Sequence, residues 1–235
     1  MSYVLGYADH CLQSKAIALA KHYGFLIDQD VFPRLQLTAE GLCYLSSSTE
    51  KLAMNWNDRQ WIKRSHGALG KDPLIRACLA KKNTPNILDL TAGWGKDAML
   101  LARAGAHVVL VEKHPVMAAL LEDAHLRLSD ESLKSRMCIK WVDAHDYLNT
   151  LTELQYPDVI YFDPMHPVRQ KTALVKQHLQ VLQTLAQPNQ DVDALIALAK
   201  TKCRERLVLK WPVKGPKFAA VKGSLQGKTI RFDIF

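Results

Sequence analysis

The hydrophobic positions of this chain follow two successive patterns, of which the second begins near residue 86. From there to residue 209, apolar runs of strand length alternate with segments whose apolar residues recur at helical spacing. The predicted strands are 86–90, 107–111, 137–142, 158–162 and 206–209, the predicted helices are 96–104, 115–128, 144–151, 171–186 and 191–202, and a hairpin is predicted within 221–235. This alternation predicts an α/β fold with a mostly parallel sheet and helices on both faces, whose ligands bind at the carboxyl ends of the central strands.

The residues before position 58 follow the other pattern, in which short elements of both kinds are mixed. They predict a helix over 10–23 that ends at Gly24, a β-hairpin over 34–45 and a third strand over 51–56. We therefore expect a small α+β cap over residues 1–57 and a main domain over residues 58–235.

Composition excludes several classes of protein. The 235 residues are 48% hydrophobic and 23% charged, which is ordinary for a globular chain with one large domain. The five cysteines are scattered without a C-x-x-C pair, so neither a zinc site nor a disulfide framework is indicated, and no metal is expected. The chain has no signal-peptide pattern and no apolar run near the roughly 18 residues that span a membrane. We expect a soluble, cytoplasmic protein.

The positive charge of the chain is concentrated at one end. The net charge is +8, and the last 36 residues hold ten Lys or Arg against two acids. An excess of this kind favours a polyanionic partner such as nucleic acid, because each neutralised phosphate releases counterions. The alternative is a basic surface that is exposed to solvent and binds no partner, which would have the same composition.

A second basic segment precedes the α/β region. Residues 57–83 include Lys63, Arg64, His66 and two glycines, Gly67 and Gly70. The glycines permit close backbone approach to an anion and Lys63 and Arg64 supply charge, so these two residues are candidate contacts to a polyanion such as RNA. A flexible linker between the cap and the main domain is the alternative.

The stretch NILDLTAGWGKDA, from Asn86 to Ala98, reads as a strand, a tight turn and a helix. Its segment from Gly93 and Gly95 to Ala98 matches the loose G-x-G-x-x-G/A pattern of nucleotide-binding turns, which also serves NAD. The turn therefore predicts a nucleotide cofactor without choosing one.

Acidic residues at three successive strand ends favour S-adenosylmethionine. Asp89 would repel a pyrophosphate but suits a cofactor with cationic ammonium and sulfonium groups. Glu112, at the end of the second strand, can accept both ribose hydroxyls, although NAD would use such an acid too. Asp143, beside Ala144, is suited to receive the adenine amino group. Each acid could instead cap a helix or lie in a solvated loop.

The segment after the fourth strand carries the candidate chemistry. It reads Asp163-Pro164-Met165-His166-Pro167, and its prolines fix the backbone and leave carbonyls free to accept hydrogen bonds. Such a loop can hold an exocyclic amine in line with a methyl donor, which a conjugated and poorly nucleophilic amine requires. A simple proline turn at a strand end is the alternative.

The motifs LDLTAGWGKDA, VEKHP and YFDPMHPVRQKTALVK resemble the ribosomal small-subunit methyltransferase J family. The resemblance implies a class I, Rossmann-like methyltransferase that methylates the N2 amine of a guanine in 16S ribosomal RNA. The cofactor residues that it implies are Lys96, Asp97, Glu112, Lys113, His145, Asp146 and Asp163. Two departures are that His166 replaces a phenylalanine of the family, and that a glycine-rich loop is reduced to Ser65-His66-Gly67 and Gly70.

We therefore predict that Asp163, Pro164, Met165 and His166 are catalytic, with ribosomal RNA or the small ribosomal subunit as partner. Arg169, Lys171, Lys176 and Lys210 are further candidate RNA contacts. An adenine or glutamine-amide methyltransferase, a non-catalytic RNA-binding module and a dehydrogenase stay open as alternatives. The sequence predicts no oligomeric state.

Overall fold

Two β-sheets form the framework of the computed structural model, which describes residues 2–58, 69–79, 84–164 and 192–235. The first sheet is built from β1 (Val4–Tyr7), β2 (Leu26–Ile27), β3 (Arg34–Thr38), β4 (Gly41–Leu45) and β5 (Lys51–Ala53). Their order is β2-β1-β3-β4-β5, and helix α1 (Gln13–Tyr23) connects β1 to β2.

The predicted helix and hairpin of this region are present, with differences at their edges. Helix α1 ends at Gly24, whose φ of 70° is left-handed, but residues 10–12 form a 3₁₀ turn before it. The predicted strand over 51–56 is too long, because Met54 and Trp56 leave the sheet and are buried in the core. Strands β1 and β2 were not predicted, since four and two residues are too few to show a period.

The second sheet confirms the predicted α/β fold. Its strands are β6 (Asn86–Asp89), β7 (His107–Glu112), β8 (Met137–Trp141), β9 (Val159–Phe162), β10 (Arg206–Pro212), β11 (Gly223–Gln226) and β12 (Ile230–Ile234). Their order is β11-β12-β10-β9-β6-β7-β8; β12 pairs antiparallel with both β10 and β11, whereas the other four pairings are parallel. The chain order reverses between β6 and β9, so the crevice for a ligand lies above their carboxyl ends.

Several helices of the α/β region begin at a capping aspartate or at a proline in the first turn, which are known helix-start signals. They are α2 (Pro73–Cys78), α3 (Lys96–Arg103), α4 (Pro115–Leu126), α5 (Glu131–Lys134), α6 (Ala144–Thr150) and α7 (Val192–Thr201). Asp72 and Asp143 cap α2 and α6 with their side chains, and a proline opens α2 and α4. The four-residue α5 was not predicted, and the helix predicted over 171–186 lies outside the described residues.

Alternate residues of the central strands enter two different hydrophobic cores. Ile87 and Tyr161 face a core shared with α2, α3, α4 and the first sheet, whereas Leu88, Ile160 and Phe162 face a core that includes residues of α6 and α7. Strands buried on both faces explain why their sequences read as continuous apolar runs.

Residues that flank the first sheet also make polar contacts with residues at the two ends of α4. The Arg127 guanidinium donates to the carbonyl of Met54 at 2.7 Å, and the Asn57 amide donates to the carbonyl of Arg127 at 2.7 Å. The Tyr3 hydroxyl lies 2.7 Å from His114 Nε2. Burial lowers the pKa of His114 to about 4, so this contact is made by a neutral ring at pH 7.

Three further features bear on the predicted class of protein. All five cysteines are free thiols. No helix among the described residues is long and apolar enough to cross a membrane. Within the same residues, no group of three or more His, Cys, Asp or Glu side chains is placed to hold a metal ion.

Candidate functional site

The glycine turn after β6 is held between the two neighbouring strands. The amide of Leu90 donates to the carbonyl of Tyr161 on β9 at 3.0 Å, and the amide of Ala92 donates to the carbonyl of Val111 on β7 at 3.0 Å. Gly93 and Gly95 then adopt φ values of 52° and 68°, which other residues rarely adopt. The turn is therefore fixed in place before helix α3 begins.

Glu112 at the end of β7 faces this turn. One of its carboxylate oxygens accepts the amide of Gly93 at 3.0 Å, and the other accepts the amide of His114 at 2.8 Å. Burial raises the pKa of Glu112, whereas these two amides act in the opposite direction. Each oxygen keeps a second lone pair, so the carboxylate can also accept the two hydroxyls of a ribose.

Three carboxyl groups meet where β6, α3 and β9 converge. They belong to Asp89, Asp97 and Asp163, and the Lys210 ammonium on β10 lies 2.6 Å from Asp97 Oδ2 and 2.7 Å from Asp163 Oδ2. Burial would lower the pKa of Lys210, but the charges of Asp163 and Asp97 raise it above its ordinary value. Lys210 is therefore charged and is shared by two acids.

Burial also raises the pKa values of two of these acids. Asp89 is 1% exposed, and burial raises its pKa to about 8, although the amide of Thr91 at 3.0 Å opposes the shift. Burial raises the pKa of Asp163 to about 6 even though Lys210 lowers it. An acid-rich site with one ammonium would gain from a second cation, because that cation favours the ionised carboxylates.

Two hydroxyl groups hold this cluster in position. The Tyr161 hydroxyl donates to Asp97 Oδ2 at 2.7 Å, and the Thr91 hydroxyl accepts the amide of Asp163 at 2.8 Å. Residues of the glycine turn and of β9 are thereby joined by direct hydrogen bonds. The carboxylate of Asp163 is oriented from its backbone as well as from its ion pair.

The sequence profile of one protein family matches residues 18–235 of this chain. The family is described as "Putative SAM-dependent methyltransferase". The chain belongs to this family. S-adenosylmethionine is therefore its cofactor, and the family decides between the nucleotide cofactors that the glycine turn left open.

Relatives of this methyltransferase agree over nearly its whole length. A protein named ribosomal RNA small subunit methyltransferase J from Legionella pneumophila (strain Corby) is 42% identical over 233 residues, which are 98% of this chain and 95% of the relative. A protein of the same name from Pectobacterium atrosepticum is 34% identical over 230 residues, or 93% of this chain and 92% of that one.

A solved structure confirms the fold. The crystal structure of a SAM-dependent methyltransferase from Neisseria gonorrhoeae superimposes with a TM-score of 0.76 at 22% sequence identity, covering 99% of this chain and 95% of that chain. The predicted Rossmann-like methyltransferase fold is thus confirmed for this methyltransferase.

The residues predicted to bind the adenine end of the cofactor lie after β8. Asp143 caps α6 by accepting the amide of His145 at 2.8 Å, as the alternative interpretation expected, and its second oxygen stays available. Ala144 is buried, whereas His145 and Asp146 are exposed at the start of the helix. Lys113 is exposed after β7, and its carbonyl accepts Trp141 Nε1 at 3.3 Å.

Of the other predicted site residues, two are described by the structure and seven are not. Pro164 is buried directly after Asp163, and Lys96 is half-buried at the first position of α3. The remaining ones lie outside the described residues: Lys63, Arg64, Met165, His166, Arg169, Lys171 and Lys176. Lys210, predicted as an RNA contact, lies against the carboxylates of Asp97 and Asp163, and its role toward RNA stays a prediction.

Sequence reasoning missed three residues that shape the site. Thr91 in the glycine turn and Tyr161 in β9 were overlooked as hydrogen-bonding groups, although a hydroxyl within a buried strand, such as that of Tyr161, usually has a polar partner. Trp56 was assigned to a strand, but its ring lies so close to Gly95 that a Cβ there would meet it at 2.5 Å. No local pattern pairs residues this far apart in the chain.

Proposed function

We propose that this methyltransferase transfers a methyl group from S-adenosylmethionine to the N2 amine of a guanine in small-subunit 16S ribosomal RNA. The observation that carries the proposal is the placement of Asp163 at the switch point of the sheet. The backbone amide of Asp163 is held by Thr91, its carboxylate is paired with Lys210, and the next residue is a proline. The names of the relatives supply the class of RNA.

Residues at the glycine turn fit the cofactor. We assign Glu112 to the ribose hydroxyls, Asp143 to the adenine amine, and the acid cluster of Asp89, Asp97 and Asp163 to the cationic end. When bound, S-adenosylmethionine would supply an electrophilic methyl group: its S–CH₃ bond breaks with the electron pair left on the thioether S-adenosylhomocysteine, while the acceptor exchanges an N–H bond for an N–CH₃ bond and releases a proton. The exposed Lys113, His145 and Asp146 and the half-buried Lys96 complete the set that the resemblance implies.

The role of Asp163 is to hold the acceptor amine. An ionised carboxylate accepts one N–H of the amine and aligns the nitrogen lone pair with the methyl group. Pro164 has no N–H, so the peptide that follows Asp163 offers only acceptors to the amine. The same carboxylate can receive the proton that the amine loses. Met165 and His166 would complete this loop.

A guanine must leave its RNA stack to reach this crevice. We propose that Lys63, Arg64, Arg169, Lys171 and Lys176 contact the surrounding phosphates. Residues 1–57 are proposed to act as a cap, which the separate five-stranded sheet supports. Because ribosomal RNA is the proposed substrate, we place the protein in the cytoplasm. We expect it to need no metal, because the sulfonium of the cofactor already makes the methyl group electrophilic.

The test is methyl transfer to small-subunit ribosomal RNA prepared from cells that lack this protein. Labelled methyl should enter the RNA, and digestion followed by mass spectrometry should identify N2-methylguanosine. Asp163→Asn keeps the shape of the side chain but removes its charge, so we expect at least a 100-fold lower rate at pH 7.5, within the typical contribution of acid–base groups. The control is Asp193→Asn, at an exposed position of α7.

Other products would point to other functions. Methylated adenine, or methylation of a glutamine amide in a ribosomal protein, would assign the site to a different planar amine. Binding of cofactor and RNA without any transfer would leave a binding module. Full activity of Asp163→Asn would overturn the role of Asp163 while leaving the proposed substrate untouched.

A further inference from the structure

The segment that connects the last three strands is basic and contains no acidic residue. From Trp211 to Ile230 the chain has four lysines, Lys214, Lys217, Lys222 and Lys228, and no Asp or Glu. All four lysines are exposed. The charge excess of the chain therefore reaches the surface here.

One buried arginine fixes the first part of this segment. The Arg231 guanidinium, 7% exposed, donates to the carbonyls of Pro212 at 2.8 Å, Val213 at 3.1 Å, Gly215 at 3.2 Å and Pro216 at 2.6 Å. Its Nε donates to Asp233 Oδ2 at 2.8 Å, and this ion pair is buried. These five contacts of one guanidinium, four to carbonyls and one to a carboxylate, fix the backbone of residues 212–216.

Aromatic side chains hold the two ends of the same loop. The Trp211 and Phe218 rings pack edge to face with centroids 4.7 Å apart, and Phe218 packs on Phe235 at 6.4 Å. The amide of Gly215 donates to the carbonyl of Pro212 at 2.9 Å, which closes a tight turn. We call residues 211–218 the clamped loop. It holds Lys214 and Lys217 at fixed backbone positions.

The clamped loop begins beside the proposed catalytic residue. Lys210, one residue before it, contacts Asp163 at 2.7 Å. Lys214 follows four residues later, so its Cα lies within about 14 Å of the Cα of Lys210 even if the chain were fully extended. A nucleotide that enters the crevice at Asp163 would have its neighbouring phosphates over this loop.

We infer that the clamped loop is a pre-ordered phosphate-binding surface for the RNA on either side of the target base. This inference rests on the proposed function, since it names the surface that presents the substrate to the same site. An acidic protein is a poorer partner, because no large apolar side chain of residues 211–235 is among the exposed ones and protein interfaces need such anchors. Phosphates need only fixed backbone and lysine charges.

The first test is the salt dependence of binding. Lys214→Gln/Lys217→Gln removes two charges, and binding of small-subunit ribosomal RNA is measured by fluorescence anisotropy over a series of salt concentrations. The slope of log affinity against log salt should become shallower by about 1.4, since each phosphate contact to single-stranded RNA contributes about 0.7. Lys15→Gln/Lys21→Gln on α1 removes two exposed charges elsewhere and should not change the slope.

The second test examines the clamp itself. Arg231→Lys keeps the charge and a partner for Asp233 but cannot reach four carbonyls, because an ammonium lacks the fork of a guanidinium. RNA affinity should fall at least three-fold with the net charge unchanged, while S-adenosylmethionine binding, measured by calorimetry, stays that of the parent protein. Should this variant fold poorly, the lysine pair decides alone, because both of its positions are on the surface.

The possible results distinguish a failure of the clamped-loop inference from a failure of the proposed function. If the lysine pair binds RNA with the parent slope, the clamped loop is not an RNA surface. If it keeps RNA binding but loses capture of an isolated ribosomal protein, the surface serves protein and the inference is overturned. If the parent protein methylates no ribosomal RNA at all, the proposed function fails instead, and that result is obtained before any variant is made.

Discussion

Replacing Lys210 with methionine tests the electrostatics of the acid cluster most directly. Methionine has nearly the length of lysine but no charge, so Asp97 and Asp163 would lose the ammonium that lies 2.6 and 2.7 Å from them. The neighbouring groups Asp89 and Tyr161 cannot replace that charge. We therefore expect the pKa of Asp163 to rise above its value of about 6.

The size of the effect follows from the geometry. An opposite charge within hydrogen-bonding distance typically lowers a carboxyl pKa by about 1 to 3 pH units. With a pKa of about 6, Asp163 is about 90% ionised at pH 7 in the parent protein. In Lys210→Met a rise of that size leaves about 50% to about 1% ionised at pH 7, and the rate should fall by about 2-fold to 100-fold.

The assay is the initial rate of methyl transfer to small-subunit ribosomal RNA between pH 5.5 and 9. In the proposed mechanism Asp163 must be ionised to accept the amine, so the rate should rise with pH and level off above the pKa of this group. In Lys210→Met the same rise should occur at higher pH, with the plateau partly recovered. Lys210→Arg keeps the charge and should retain a profile close to that of the parent.

A different result would refute this account. If Lys210→Met lowers the rate equally at every pH, Lys210 does not act through the ionisation of Asp163. If it instead weakens RNA binding with the pH profile unchanged, Lys210 contacts the substrate, as the sequence alone predicted. Measuring KM for RNA beside kcat distinguishes these two cases.

Three further substitutions test the glycine turn and its acids. Gly95→Ala should lower the melting temperature and the cofactor affinity. A φ of 68° costs an L-residue about 1–2 kcal/mol, and the added Cβ would meet Trp56. The control is Gly223→Ala, because Gly223 has open space around it. Burial raises the pKa of Asp89 to about 8, so the folded protein keeps a proton that the unfolded chain releases near pH 4. Its unfolding free energy should fall by up to about 1.4 kcal/mol per pH unit between about pH 4 and 8, and Asp89→Asn should remove this slope in urea titrations. Glu112→Gln should weaken cofactor binding about 10-fold to 100-fold by calorimetry, the cost of about 1.5–3 kcal/mol for a charged hydrogen bond, and unchanged affinity would contradict the ribose assignment.

The central sheet could be predicted from the sequence because its strands are buried on both faces. Segments such as Val159–Phe162 are apolar at every position, and the helices between them show a clear period. The prediction of a parallel sheet also predicts that acids at the strand ends lie close together, since parallel strands bring their carboxyl ends to one edge. Asp89, Glu112 and Asp163 are found together at that edge for this reason.

The contacts between distant parts of the chain could not be predicted. Lys210 is 113 residues from Asp97, and its position reads as an ordinary basic residue after an apolar strand. Only the pairing of β9 with β10 brings Lys210 to Asp163. Trp56 is likewise placed under Gly95 by the packing of the first sheet on α4, which no local period encodes.

The acid cluster gives a physical reason for the proposed binding of a cationic cofactor at this glycine turn. A glycine turn before a helix offers backbone amides to an anion, and in a dinucleotide site the pyrophosphate uses them. Here the amide of Gly93 is already bound to Glu112, and three carboxyl groups with one ammonium lie beside the turn. A pyrophosphate would meet net negative charge, whereas a sulfonium and an ammonium would neutralise it. In the proposed site, the side chains around the turn therefore select the cofactor, and its glycines do not.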